Sequence, residues 1–213
     1  MDNFEHVGLA SAPAYTDQLL EQIHERTSKG FLWGPPLYWT PTVSVRYNYP
    51  YQVDNPEFID GTCWHHGLEA ATIADIKASL QQPGHMRYNE LTPLRVPTLK
   101  HKVTQLREAG VVFLVGTDSG VPMNFHCTST ADEMLLLNRE MGVPAMDVIR
   151  AASYWPARLI GVSEQWGTIQ AGLFLASSES IGDVFGNILK SLVFSTFFWH
   201  KPLKPRTFGV VFS

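Results

Sequence analysis

The chain has 213 residues and a net charge of -4, and its hydrophobic and charged fractions are 45% and 17%. These values predict one domain, or one and a half, with a real hydrophobic core. No basic patch stands out, which argues against nucleic acid and membrane surfaces as partners. No window of about 18 apolar residues predicts a membrane-spanning helix.

The cysteine content and the amino-terminal segment favour a reducing compartment. Cys63 and Cys127 are too few for a disulfide framework and lack the CxxC spacing of a zinc site. The opening MDNFEHVGLA has neither the basic nor the apolar region of a signal peptide. We therefore expect free thiols and favour a cytoplasmic location.

The first half of the chain predicts helices, one strand and a Tyr-rich loop. Apolar residues at helical spacing predict a helix within residues 14–30. The proline-broken stretch 31–45 predicts a short strand followed by a loop, and the Tyr-rich stretch 46–56 predicts further turns. A short helix and then a longer one, ended by Pro83, are predicted next.

The second half predicts a buried strand between helices. Residues 96–110 form an amphipathic pattern with Leu99, Val103 and Leu106 on one face. The run VVFLV at 111–115 is continuously apolar, which is typical of a strand covered on both faces in a parallel sheet.

Further helices and an appended β-domain are predicted after this strand. Thr130 and Glu133 have the spacing of a capping box at the start of a helix. A second helix begins near Pro144 and breaks at Pro156, and glycine-spaced apolar runs from 163 onward predict β-structure. The alternation of helices and strands predicts an α/β fold with parallel strands.

Asp118 stands at the carboxyl end of the buried strand, where α/β folds build their sites. A carboxylate there can bind a metal or act as a general base, whereas a turn-capping Asp is the alternative. The residues alone leave both interpretations open. The segment GTDSG lacks the lysine of a phosphate-binding loop, and DSG lacks the surroundings of a nucleophilic serine.

The histidines form no metal-binding motif of their own. No HxH or HExxH occurs, and the adjacent His65 and His66 point in different directions in a regular element. His6 lies near the amino terminus, and His126 follows Asp118 by eight residues, within reach of the same pocket.

Two long segments, LREAGVVFLVGTDSGVP and AMDVIRAASYWPARLIGVSEQWGTIQAG, resemble the carboxy-terminal half of metal-dependent amidohydrolases. The resemblance is to the imidazolonepropionase-like and prolidase-like branch and is strong over 96–172. In that family a GTD-type turn ends the eighth strand of a (β/α)8 barrel, and a β-sandwich is appended. The resemblance implies that Asp118 binds metal and handles the proton of the attacking water.

The segment NFEHVGL is similar to the sixth-strand segment of the same family, which implies that His6 is a metal ligand. The implied cofactor is a divalent metal, zinc, as one or two ions in the intact enzyme. The implied reaction is hydrolysis of a C–N bond in a small amide, cyclic amide or dipeptide. Thr117 and Ser119 are expected to hold the Asp118 carboxylate.

Some residues could contact the substrate, although solvated or packing roles are favoured for most of them: Arg46, Tyr47, Tyr49, Tyr51 and His126. Of these, His126 and Tyr47 are the candidates for substrate binding.

The family's other ligand segments lie upstream of the matching region. We therefore interpret residues 1–162 as a partial metal-dependent hydrolase barrel, about strands six to eight, and residues 163–213 as a degraded β-sandwich remnant. Met1 is then an internal methionine. The segment LFLASSESI at 173–181 interrupts the family pattern between two matching anchors, and we expect a compensated frameshift there.

Two functional hypotheses follow. The first is a metal-dependent hydrolase present as a truncated chain that is inactive alone. The second is a non-catalytic fragment or binding scaffold that retains the half-barrel. A half-barrel leaves strand edges open, so we also expect self-association.

Overall fold

The computed structural model describes residues 3–6, 12–29, 36–61, 63–65, 67–82 and 90–169. The predicted β-sandwich remnant and the frameshift segment 173–181 therefore lie almost wholly or entirely outside the described residues.

Three parallel strands form the sheet, in the order β1 (Asn3–Glu5), β2 (Tyr38–Thr40) and β3 (Val112–Phe113). Phe4 pairs with Trp39, and Trp39 pairs with Phe113. Parallel strands need long crossover connections, and helices lie in both connections here. This arrangement confirms the predicted α/β fold with parallel strands and is consistent with part of a (β/α)8 barrel.

Seven helices of the described residues surround this sheet, and two short 3₁₀ turns, Pro56–Gly61 and Cys63–His65, lie between them. No helix in the described ranges has the length and apolar character needed to cross a bilayer. The helices are α1 (Asp17–Ser28), α2 (Ser44–Asp54), α3 (Ala70–Leu80), α4 (Thr92–Glu108), α5 (Ser129–Arg139), α6 (Ala145–Ala152) and α7 (Tyr154–Leu159).

Trp39 on the central strand is the middle of the main hydrophobic core. Its ring is fully buried, stacks on Phe4 at a centroid distance of 5.7 Å and packs against Phe113 at 5.3 Å. The predicted face of α4 is confirmed, since its three apolar residues are each 1% exposed within the same core. Aromatic side chains at one register of three strands thus join the sheet to the helix layer.

A second, smaller cluster lies where the connection between β2 and β3 meets the segment after Asp118. Trp64 stacks on Phe125 with ring centroids 4.9 Å apart, and its indole N–H donates to the carbonyl of Ile59. Met123 is buried in the same cluster. The connection is therefore packed onto the loop that follows β3.

The predicted loop over 46–56 is wrong, because helix α2 occupies Ser44–Asp54 and contains Pro50. Proline removes one hydrogen bond of a helix and crowds the preceding turn, so its presence argued for a break. The helix forms because it buries one face, which includes Val45, Tyr49 and Gln52, and because its first amide groups are paired from elsewhere in the chain.

That pairing comes from Glu133 in α5. Its carboxylate accepts hydrogen bonds from the backbone N–H groups of Val43, at 3.0 Å, and Ser44, at 2.7 Å. The predicted capping box of Thr130 and Glu133 is therefore wrong. The carboxylate caps the beginning of α2, about 90 residues away, rather than that of its own helix.

The predicted break at Pro156 is also displaced. The chain breaks at Ser153, between α6 and α7, and Pro156 lies in the first turn of α7. A proline in the first turn removes an N–H that would have no partner within the helix.

Gly116 lies where the loop after β3 passes Thr40 at the end of β2. A Cβ added at Gly116 would overlap the Cγ2 methyl of Thr40. The close approach, rather than an unusual backbone angle, requires glycine here.

We predict that Gly116→Ala lowers the free energy of unfolding by about 1–3 kcal/mol, the usual cost of forcing an extra methyl into a packed site. Thr40→Ser removes the overlapping methyl, so the double variant should recover most of the loss. Urea unfolding of the four proteins measures both effects. Equal losses from Gly116→Ala with and without Thr40→Ser would contradict the assignment.

Candidate metal and catalytic site

His6 and Asp118, the two predicted metal ligands, lie together at the carboxyl ends of the strands. The His6 Nδ1 and Asp118 Oδ2 atoms are 4.0 Å apart, and both side chains are less than half exposed. Their positions follow from the parallel sheet, because parallel strands carry their carboxyl ends to one edge. The structure thus brings an imidazole and a carboxylate from distant parts of the sequence to one point.

The backbone is strained at each of these strand ends. His6, Thr42 and Asp118 follow β1, β2 and β3, and their φ angles are 67°, 51° and 51°. Residues other than glycine rarely adopt this left-handed backbone conformation, which persists only where the surrounding structure enforces it. Such strain is concentrated at functional sites. A fourth non-glycine residue of the described part of the chain, Met123, also has a positive φ, of 63°, and lies in the segment after Asp118.

Three hydrogen bonds hold His6 against β2 and the residues that follow it. The His6 N–H donates to the Thr40 carbonyl at 2.8 Å, and the Trp39 indole N–H donates to the His6 carbonyl at 2.8 Å. The third bond joins the imidazole Nδ1 to the Thr42 hydroxyl at 3.0 Å. Main chain and ring are therefore both fixed.

The turn that carries Asp118 is supported by the side-chain amides of Asn124 and Asn48. The Asn124 side chain, 1% exposed, donates to the Thr117 carbonyl and accepts from the Asn48 side chain at 2.9 Å. Asn48 also approaches the Asp132 carboxylate at 3.5 Å. The turn is thereby tied to α2 and to the first turn of α5.

Thr117 and Ser119 differ from expectation. Their hydroxyl groups bond to each other at 2.7 Å, and Ser119 bonds onward to Ser129. Among the hydrogen bonds of the described residues, neither hydroxyl holds the Asp118 carboxylate. They stiffen the turn that carries Asp118 instead.

Two adjacent acidic residues of α5, Asp132 and Glu133, form hydrogen bonds with residues that support the candidate site. Burial raises the pKa of the Glu133 carboxyl to about 7, although the amides of Ser44 and Val43 act in the opposite direction. Burial also raises the pKa of Asp132, against hydrogen bonds from Thr128 and Asn48. A buried carboxylate is costly unless it is hydrogen-bonded, so both acids depend on their partners.

Sequence reasoning missed Thr42, Asn124 and the role of Glu133. The only signal for Glu133 was its position beside a second acid in an apolar helix, and local spacing assigned it to the wrong helix end. Thr42 carries no motif, since its importance rests on a backbone angle and a partner 36 residues away.

The two predicted substrate-contacting residues lie in different surroundings. His126 is exposed in the turn before α5. Tyr47 is half-buried in α2 and packs against the main core. Burial, followed by the charge of Glu140, raises the pKa of the Tyr47 hydroxyl.

The His6 and Asp118 pair suits one divalent ion in its donor types, an imidazole nitrogen and a carboxylate oxygen. A structural or catalytic zinc site needs at least three protein ligands. Within the described ranges, no group of three His, Cys, Asp or Glu side chains is placed to hold a metal. The described residues therefore supply a pair of ligands and not a complete set.

Comparison with known proteins gives one family and one solved structure. A sequence model of the amidohydrolase family matches residues 65–173, just over half of the chain, including Asp118. A crystal structure of an uncharacterized protein aligns with 85% of this chain at 19% identity and a TM-score of 0.44. The chain spans 36% of the length of that structure. No curated protein matches the chain.

We predict that Glu133 makes the free energy of unfolding fall as pH rises from about 4.5 to about 7. In that window the folded protein keeps a proton on Glu133 that the unfolded chain has released, so raising the pH favours unfolding. The contribution is complete below about pH 4.5 and is lost through pH 7. Since one pKa unit equals about 1.4 kcal/mol, the fall is on the order of 3 kcal/mol.

Urea unfolding between pH 4.5 and 8 measures this fall. Glu133→Gln should be less stable at every pH and should lack this component, because the amide cannot accept both N–H groups and does not titrate. Glu21→Gln, at an exposed position of α1, is the matched control and should retain the wild-type profile. Identical pH profiles for wild type and Glu133→Gln would contradict the prediction.

Proposed function

The chain belongs to the amidohydrolase family, and we propose that it is the carboxy-terminal part of a metal-dependent hydrolase that cleaves C–N bonds. The substrate class is a small amide, a cyclic amide or a dipeptide. The observation that supports this proposal best is the meeting of His6 and Asp118, 4.0 Å apart, at the carboxyl ends of parallel strands. In barrel enzymes this edge carries the catalytic groups.

The chemistry assigns different tasks to the two side chains. The His6 imidazole is a neutral nitrogen ligand, and the Asp118 carboxylate is an oxygen ligand that can also accept a proton from the attacking water. When bound, a divalent ion such as zinc lowers the pKa of water and polarises the scissile carbonyl. Asp118 then passes the proton to the leaving amine.

The surrounding bonds fit these tasks. The Asp118 turn is held by Asn124 and by the bonded hydroxyls of Thr117 and Ser119. His6 is held by Thr42 and Trp39. Catalytic groups need such support, because small displacements from the productive geometry cost large factors in rate. We propose His126 and Tyr47 as the residues of this chain that contact the substrate.

A binding scaffold without catalytic activity is the alternative. It is favoured by the incomplete ligand set among the described residues. The DNA upstream of codon 1 distinguishes the two proposals. An in-frame HxH segment followed by lysine and histidine segments supports the hydrolase, whereas a stop codon and ribosome-binding site before Met1 support the scaffold.

We predict that this chain binds zinc weakly through His6 and Asp118 and lacks a tight stoichiometric site. Two ligands leave most of the coordination sphere to water, so affinity falls far below that of a three-ligand site. Zinc should change the chemical shifts of the His6 ring resonances, and a titration followed by these shifts gives the zinc affinity. Asp118→Asn should lower this affinity at least about tenfold. Asp17→Asn, at the exposed start of α1, is the matched control.

Two results would contradict the prediction of a weak, two-ligand zinc site. One is zinc leaving the His6 resonances unchanged, which would remove the ligand pair. The other is a nanomolar site with turnover in the isolated chain, which would show that the ligand set is complete.

We also predict self-association of the isolated chain. Within the described residues, β1 and β3 each pair with one strand only, so each offers an unpaired edge to another chain. Sedimentation should show species heavier than the monomer mass of 23.9 kDa. A single monomeric species with a cooperative melt would contradict this prediction.

A further inference from the structure

Asp118 lies beyond the point where its strand is bonded to the sheet. Strand β3 ends at Phe113. Among the described residues, the last backbone hydrogen bond to β2 before Asp118 is donated by the Leu114 N–H to the Trp39 carbonyl, at 2.8 Å. The sheet therefore brings the chain to this edge, and contacts outside the sheet decide where the Asp118 side chain lies.

The segment that follows Asp118 is strained at Met123. Its φ angle is 63°, although methionine is not among the residues that adopt the left-handed region routinely. Such a conformation persists only where the surroundings enforce it. Two contacts do so here. The Met123 side chain is buried in the cluster around Trp64, and its carbonyl accepts a hydrogen bond from the Gln52 Nε2 atom at 3.0 Å.

The buried amide of Gln52 is bonded on one side only. The residue lies in α2 and is 3% exposed. Its Nε2 atom donates to Met123, whereas its buried Oε1 atom accepts no hydrogen bond from the described residues. A buried acceptor without a partner costs at least as much as one neutral hydrogen bond contributes. Stability of the fold therefore does not account for a glutamine here, and its bond to the Met123 carbonyl does.

The peptide that Gln52 holds leads directly to the turn of Asp118. Asn124 follows Met123, and its side chain donates to the Thr117 carbonyl. The Asn124 carbonyl accepts from the Gly120 N–H at 3.1 Å. Thr117 and Gly120 lie on either side of Asp118. A displacement of the Met123 carbonyl is therefore transmitted to both sides of the turn.

We propose that Gln52 is a positioning residue, which through the Met123 carbonyl sets where the Asp118 side chain lies. The same helix also reaches the other candidate ligand, because α2 begins just after Thr42, whose hydroxyl lies 3.0 Å from the His6 ring nitrogen Nδ1. One helix thus relates the two side chains. The inference rests on the proposed function for the chemical role of this pair, and Gln52 itself does not touch the substrate.

Nuclear magnetic resonance of the protein without metal or substrate tests the proposal. Wild type should show a positive φ at Met123 and Overhauser contacts between the His6 ring and the Asp118 β protons. Gln52→Met keeps the approximate shape and removes the donor, so both signatures should be lost. Its melting temperature should change little, because the variant loses one hydrogen bond and also removes the unbonded acceptor.

A second substitution separates positioning from stability. Glycine adopts a positive φ without strain, so adding Met123→Gly to Gln52→Met should restore the contacts between His6 and Asp118. The same change removes a buried side chain, so the double variant should melt at a lower temperature than Gln52→Met. A residue that served stability alone would give no such recovery.

Gln105→Met is the matched control. The Gln105 amide bonds to both the N–H and the carbonyl of Tyr15, far from the site in sequence. This variant should melt at a lower temperature and keep the contacts between His6 and Asp118. Loss of these contacts in folded Gln105→Met overturns the proposal, because the effect would not be specific.

Three further results overturn it. One is a folded Gln52→Met that keeps the contacts between His6 and Asp118. Another is a folded double variant that does not regain them. The third is a negative φ at Met123 in wild type, which decides the matter even if Gln52→Met does not fold.

Zinc addition distinguishes failure of this inference from failure of the proposed function. If zinc leaves the wild-type His6 resonances unchanged while Gln52→Met loses the contacts, the metal-binding role of the pair fails and the positioning of the turn stands. If zinc shifts the wild-type resonances while Gln52→Met keeps the contacts, the positioning role fails and the ligand pair stands.

Discussion

The carboxylate of Glu133, bonded to the N–H groups of Val43 and Ser44, is the interaction on which the candidate site depends. A carboxylate without exposure to water is costly unless donors surround it, and the amide groups at a helix beginning need acceptors. Each requirement satisfies the other here. Helix α2 begins where it does because α5 delivers this side chain to its first amide groups, and α5 itself is held by Met134 and Leu137 in the main core.

The same turn of α5 supports both candidate ligands by separate routes. Glu133 acts through the two amides and Thr42 to reach His6. Asp132 acts through the side chains of Asn48 and Asn124 to reach the turn that carries Asp118. Two adjacent acidic residues thus support the two candidate ligands through separate sets of hydrogen bonds. Buried polar networks of this type are rigid when fully bonded and damaging when one member is removed.

Elements determined by local pattern could be predicted from the sequence, and elements determined by distant contacts could not. The apolar spacing of α4 and the continuous apolar run at 111–115 show directly which residues are buried. The parallel α/β arrangement could therefore be predicted from them. Helix α2 was missed because Pro50 argues for a break, while the groups that stabilise the helix lie in α5. Glu133 was assigned to the nearest helix end because sequence spacing cannot show a partner about 90 residues away. Asp118 and His6 were predicted as ligands through family resemblance, and it is the sheet that brings the two side chains together.

The small cluster around Trp64 and Phe125 bears on the order in which the molecule opens. Its buried side chains are few, and it joins the connection between β2 and β3 to Met123 and Phe125. Regions with little buried apolar surface open locally at a lower free energy than the core around Trp39. Because the cluster includes Met123, next to Asn124, such an opening reaches the Asp118 turn while the sheet stays closed. Amide exchange in this connection and in the turn is therefore expected to occur as one cooperative unit, faster than exchange in the strands.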